Sequence, residues 1–371
     1  MIAPYLPDSG SQGATHKIES VLRILARSGR RILFLNSAHI RAEFAPSSAA
    51  IRNIAGVRLL QITPFTMPWR PAGKLANVLA MRSLVRRIAA IRPSLVWIYN
   101  SYAFEARFAL MLSKTTDCRI VLEMEDLPRS RNRGRLNLKP ILDAHYLQLL
   151  RRHATLITCV NQSVESSMSP ARTMPLPYIM SPAVKLNGGE PFQGAPFTLG
   201  YFGHLSIEKG VSIFPSLSAS LPANWRFTVT GRGPLAAELH ACAARSGGRM
   251  QFIENAPDEK LYELLSQCDA VVNPHWSIRA MGEGVFPFKV LEAVAAGRLV
   301  ISTELPPCGF DLTQNVMNFD GTVDGLLRSL AAAPEFRRRN LVGFEATVAR
   351  VRSALSEDAI YATLRDMRVL P

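Results

Sequence analysis

Short β-branched or aliphatic runs alternate with segments of helical period from one end of this chain to the other. No other feature constrains the fold as strongly, because repeated strand–helix–strand units build parallel sheets covered by helices. In the first half, residues 31–36, 57–62, 95–99, 119–123 and 156–160 are predicted strands. A helix precedes the first of them: Ile18, Val21, Leu22 and Leu25 share one face, and Gly29 is placed to end it. An earlier strand is either confined to residues 2–6 or the start has been trimmed.

Proline and glycine then become dense over residues 170–196 (Pro175, Pro177, Pro182, Gly188, Gly189, Pro191, Gly194), which is the best linker in the sequence. A second series follows, with strands at 198–202, 226–230, 250–253, 270–273 and 299–302 and helices at 211–221, 235–245, 260–267 and 288–296. A chain of 371 residues is too long for one ordinary core. The reading is therefore α/β, with two Rossmann-like doubly wound domains facing a shared cleft. They span residues 1–185 and 186–350, and a helix over 351–371 packs back on the first. Ligands of such sheets lie at the carboxyl ends of the strands, so the loops there are where chemistry belongs.

Composition excludes several classes. Hydrophobic residues are 48% and charged residues 19%, which is a folded chain rather than a disordered one. The most apolar runs are of strand length, far short of the ~20 residues of a spanning helix, and no basic-then-apolar leader opens the chain. Five scattered cysteines with no CxxC pair argue against a disulfide framework or a zinc site, and for a reducing cytoplasm. The net charge is +14, and its excess sits entirely in the first half: residues 1–190 hold 26 Lys and Arg against 11 Asp and Glu. Arg129, Arg131, Arg133, Arg135 and Lys139 form one group, and Arg82, Arg86, Arg87 and Arg92 another. Nucleic acid, an anionic membrane leaflet or a polyanionic substrate would answer to such a surface, as would a merely solvated basic face. Nucleic acid is the weakest of these, since no aromatic–basic stacking motif or recognition module accompanies the charge.

Three loops of the second half carry the chemistry. Strand 198–202 runs into Gly203-His204-Leu205-Ser206-Ile207-Glu208-Lys209-Gly210, where glycine admits an anion close to the backbone, a helix start offers free N–H groups, and Lys209 adds charge. The bland alternative is a tight turn with a surface lysine. The next strand ends in Gly231-Arg232-Gly233-Pro234, which is equally a good helix entry. The third loop, Gly-rich around Gly282, Glu283 and Gly284, opens a helix in which Lys289 and Glu292 share a face. Lys289 can face phosphate and Glu292 can accept from ribose hydroxyls, or the two are an ordinary helix pair. No Asp-x-Asp metal signature occurs, nor a Gly-x-Gly-x-x-Gly followed by an acidic strand end.

Taken together, the 203–210 loop, Gly231 to Pro234, and Pro287 to Gly297 followed by Val300-Ile301-Ser302-Thr303 resemble the retaining glycosyltransferases of family 4 and their close relatives, which have the GT-B fold. Pro4-Tyr5-Leu6-Pro7 before the Gly10 to Gly13 loop, and Glu125-Asp126-Leu127-Pro128 after a strand, are fainter echoes in the first half. The resemblance implies transfer of a sugar from a nucleotide diphosphate-sugar, with no cofactor or metal, and with the departing phosphate taking the acceptor's proton on the same face. Donor contacts would come from Gly203, His204, Lys209, Gly231, Arg232, Glu283, Lys289 and Glu292, with Lys209, Asp126 and His16 as catalytic candidates. Gly10 and Gly13 would form the acceptor-side loop. Two positions depart from the family pattern: His204 stands where arginine is usual, and Gly284 stands where the first glutamate of the pair belongs, with Glu283 one place off. The acceptor would be a saccharide or a lipid-linked saccharide at the inner membrane face. Trp69, Arg70 and an amphipathic face including Leu75, Val78, Leu79, Leu84 and Ile88 would dock there, unless those residues are core. An inactive scaffold of the same fold and a nucleotide-sugar epimerase are the rival readings.

Overall fold

The computed structural model describes residues 1–5, 12–38, 47–63, 70–125, 127, 138–186, 192–275 and 286–370. The chain divides into two compact units, the first built on Met1–Ile179 with Glu357–Pro371, the second on Met180–Met281 with Phe286–Ser356.

The first unit is an eight-stranded sheet ordered β3-β4-β2-β1-β5-β6-β7-β8. Its strands are β1 (Ile2–Ala3), β2 (Leu33–Asn36), β3 (Ser48–Ile54), β4 (Val57–Thr63), β5 (Leu95–Tyr99), β6 (Arg119–Met124), β7 (Leu156–Cys159) and β8 (Thr173–Pro175). Its helices are α1 (Gln12–Ala26), α2 (Arg70–Ala89), α3 (Ala103–Thr116), α4 (Leu138–His153) and α5 (Gln162–Met168). The central strands β5 to β7 are apolar along nearly their whole length because helices cover both faces. Helix α1 buries Ile18, Val21 and Leu22 completely, as its 3.6-residue spacing requires, and Gly29 closes it in the left-handed region at φ 69°. Two strands of this sheet escape the sequence pattern, the three-residue edge strand β8 and the strand β3. β3 pairs antiparallel with β4 across a turn at Ala55 and Gly56, and its residues are exposed from Ser48 to Asn53. With neither face buried, it shows no hydrophobic alternation.

Helix α2 resolves the question of its apolar side. Met81, Val85 and Ile88 are core, whereas Leu75 and Leu79 stand 61% and 74% exposed beside exposed Arg82, Arg86 and Arg87. Among the described residues no helix is long and apolar enough to cross a membrane.

The second unit is a six-stranded, all-parallel sheet ordered β11-β10-β9-β12-β13-β14. Its strands are β9 (Phe197–Phe202), β10 (Trp225–Gly231), β11 (Met250–Glu254), β12 (Ala270–Asn273), β13 (Leu299–Ser302) and β14 (Val316–Asn318). Its helices are α6 (Phe214–Ser220), α7 (Ala236–Arg245), α8 (Asp258–Gln267), α9 (Phe288–Ala295), α10 (Val323–Arg339) and α11 (Leu341–Leu355). Helix α9 is buried from Val290 to Ala295. Asp269 fixes the start of β9, accepting from Thr198 N and from Phe192 N at 2.6 Å each. After α11 the chain returns to the first unit as α12 (Glu357–Asp366), whose Ile360 and Leu364 join the α1 core while Glu357 accepts from Arg23 Nε at 2.7 Å.

Candidate nucleotide-sugar site

The order β10-β9-β12-β13 brings four strand ends to one edge of the second unit's sheet. Residues Gly231, Gly203, Pro274 and Thr303 follow one another along it. The loops are stitched by backbone bonds, with Gly203 N donating to Thr230 O at 2.9 Å, Leu205 N to Arg232 O at 2.7 Å and Thr303 N to Asn273 O at 3.1 Å. Close backbone approach explains the glycines. A Cβ at Gly231 would lie 1.7 Å from Gly203 O, and one at Gly210, which sits at φ +74°, would lie 1.8 Å from Pro274 O. Side chains at those two positions would push the loops apart.

Two lysines and a histidine meet on this edge. The turn Ile207–Lys209 is a single 3-10 turn, and it sets Lys209 Nζ 3.2 Å from His275 Nε2. His275 is buried, and desolvation with the neighbouring Lys209 charge lowers its pKa to about 4. At neutral pH the imidazole is uncharged, so Nε2 accepts from the Lys209 ammonium. Lys289, in the first turn of α9, donates to Phe202 O. Burial, partly opposed by Glu292 and reinforced by Lys209, lowers the Lys289 pKa from 10.5 to about 8. Lys289 is thus still cationic at neutral pH, is repelled by the Lys209 charge, and stands at the start of a helix whose cap position, Pro287, supplies no side-chain acceptor. Such a cluster is stabilised by an anion.

One turn further along α9, Glu292 is buried and accepts from Tyr262 Oη at 3.1 Å. His204 and Arg232 are exposed, and Arg232 donates through Nε to Asn255 Oδ1. Gly203, His204, Lys209, Gly231, Arg232, Lys289 and Glu292 therefore all belong to one sheet edge or to the helix that opens beside it. Glu283 lies outside the described residues, as do Asp126 and Gly10. In the first unit His16 sits on α1, its Nδ1 4.0 Å from Glu19 Oε2. The expectation that Gly13 is part of a loop is corrected, because α1 begins at Gln12 and takes Gly13 into its first turn. Among the described residues no group of three or more His, Cys, Asp or Glu side chains is assembled that could hold a metal.

The sequence reading missed a second charged cluster, at the carboxyl end of the first sheet. Glu123 is fully buried on β6 and accepts from Trp97 Nε1 at 2.8 Å. Lys17 Nζ lies 3.5 Å from Glu123 Oε1, donates to Leu176 O at 2.8 Å and pairs with Glu125. Burial pushes the Glu123 carboxyl up against the opposing pull of Lys17. Glu125, which opens the Glu125-Asp126-Leu127-Pro128 segment, is thereby committed to an ion pair.

The whole chain has the GT-B fold. It aligns over 99% of its length with 98% of Anabaena HepE in complex with UDP (TM-score 0.64, 15% identity). Sucrose-phosphate synthase from Thermosynechococcus elongatus matches over the same shares with TM-score 0.64 and 15% identity. The α,α-trehalose-phosphate synthase (UDP-forming) from Burkholderia xenovorans in complex with glucose-6-phosphate matches over 99% of both chains with TM-score 0.68 and 11% identity. Residues 196–334, which contain the whole sheet edge described above, match the family model Glycosyl transferases group 1. The fold is thus that of GT-B glycosyltransferases, and the segment that carries the sheet edge is the one similar to group 1 glycosyl transferases. None of the curated proteins matches its sequence.

Proposed function

We propose that this protein transfers a sugar, with retention of configuration, from a nucleoside diphosphate donor held by the second unit to a saccharide or lipid-linked acceptor held by the first. The observation that carries the reading is the convergence of Lys209, Lys289 and the start of α9 on the Gly203–Gly231 edge. In the reaction the bond between the sugar's C1 and the diphosphate oxygen breaks and a bond from the acceptor oxygen to C1 forms. The acceptor's proton passes to the departing diphosphate. Negative charge grows on that leaving group, and fixed cations with a helix N-terminus are placed to stabilise it before the bond breaks. No protein carboxylate is needed as a nucleophile, and Glu292 is assigned to the donor's ribose. UDP is the first base to test, because HepE was solved with UDP and the trehalose-phosphate synthase is UDP-forming.

Leu75 and Leu79 beside Arg82, Arg86 and Arg87 on α2 support peripheral attachment to an anionic membrane, where a lipid-linked acceptor would be found. Incubating the protein with UDP- and GDP-sugars and extracted glycolipids, and following the anomeric proton by NMR, tests the proposal. Acceptor-dependent nucleotide release with retained configuration is expected. Donor interconversion without acceptor would mark an epimerase, and neither turnover nor binding would mark a scaffold.

A further inference from the structure

Tyr262 was singled out by no sequence motif, yet it touches the donor site. It projects from α8, and its hydroxyl donates to Glu292 Oε1 at 3.1 Å. Ser181 also bonds the phenol through its side chain, so three separate segments of the second unit meet around Tyr262. Burial, and then the Glu292 charge, push the Tyr262 phenol far above its usual value. It therefore stays protonated and acts as a donor at any working pH.

A glutamate with three rotatable bonds does not by itself present a fixed edge. An ionised carboxylate offers about four acceptor positions on two oxygens, enough for one phenol and two adjacent hydroxyls. Recognition of a diol by such a group requires its plane to be held, and holding it in advance removes an ordering cost from binding. Lys289, three residues before Glu292, supplies attraction but cannot supply this: it donates to Phe202 O on the strand end.

We propose that Tyr262 is a positioning residue for ribose recognition: its hydrogen bond orients Glu292 toward the diol of the donor nucleotide, so that the pair distinguishes ribonucleotides from their deoxy counterparts. The inference rests on the nucleotide-sugar reading of this site and extends it to a residue one helix away.

The test compares UDP with 2′,3′-dideoxy-UDP, and GDP with its dideoxy analogue, by calorimetry on the full chain and on the variants Tyr262→Phe, Ser181→Ala and Glu292→Gln. Wild type is expected to prefer the ribonucleotide by about tenfold or more, the scale of a hydrogen bond to a charged group. Tyr262→Phe should reduce that preference at least about threefold by weakening the ribonucleotide alone, with Ser181→Ala changing it in the same direction and to a smaller extent. Glu292→Gln should abolish most of it. If Tyr262→Phe weakens ribo- and dideoxynucleotide equally, Tyr262 is only scaffold and the inference is overturned, as it is if the preference is unchanged. If wild type itself shows no preference, the ribose role of Glu292 fails and takes the inference with it. If no nucleotide binds at all, the reading of the site fails first.

Discussion

Replacing Lys289 with methionine should make the protein more stable and a worse binder at once. The ammonium is half-buried, and the fall of its pKa from 10.5 to about 8 corresponds to about 3 kcal/mol of disfavoured charge at neutral pH. Partial exposure reduces that figure, and losing the bond to Phe202 O removes about 1 kcal/mol more. A net stabilisation of about 1 kcal/mol remains, or about 2–4 °C in melting temperature for a domain of this size. The pH dependence identifies the cause. The unfolded chain holds the Lys289 proton up to about 10.5 and the folded chain only to about 8, so wild-type stability rises across that interval while the variant's does not. The advantage of Lys289→Met should therefore be full at pH 7 and shrink by pH 9.5. Nucleotide affinity should move the other way, falling about 10- to 100-fold at pH 7 with the loss of a charged donor to phosphate. It should also decline above pH 8 in wild type but not in the variant. Scanning fluorimetry with and without UDP at the two pH values gives all four quantities. A variant that melts lower than wild type and binds UDP unchanged would show Lys289 to be a structural anchor and refute the argument.

Two further substitutions probe the scaffold around the sites. Gly210→Ala must adopt φ +74° and place a Cβ 1.8 Å from Pro274 O, so it should cost about 2 kcal/mol or more and weaken nucleotide binding by shifting Lys209, both read by denaturant titration and calorimetry. Lys17→Met strands the fully buried Glu123, which should cost about 3–5 kcal/mol. Because the Glu123 pKa is already raised and rises further without Lys17, the folded variant retains a proton that the unfolded chain releases. Its deficit against wild type should therefore widen as pH increases from 5 to 8, and urea melts at the two values would show it.

How much of this was readable beforehand depended on where the partners of each residue sit in the sequence. Strands 270–273 and 299–302 were legible because buried parallel strands are unbroken β-branched or aliphatic runs, and the structure places them at Ala270–Asn273 and Leu299–Ser302. Lys209, Gly203, Gly231, Lys289 and Glu292 stood out because each lies at a strand end or helix start, where a local motif carries the chemistry. β3 was invisible, since an exposed edge hairpin imposes no periodicity on Ser48 to Asn53. The Lys17 cluster draws on residues 17, 97, 123, 125 and 176, and Tyr262 reaches Glu292 across 30 positions. No spacing rule joins residues so far apart, and a lysine on an amphipathic helix normally reads as surface. His275 follows the strand end at 270–273, and only the 3.2 Å approach to Lys209 gives it a role.

In the proposed reaction the second unit holds a nucleotide through its diphosphate. Calorimetric titration of the protein with UDP, UMP and uridine, with the GDP series alongside, tests it most directly. A nucleoside diphosphate should bind at least about tenfold tighter than its monophosphate, with the difference lost when Lys209 is replaced by methionine. Equal affinity for diphosphate and nucleoside, or no binding by either series, would contradict it.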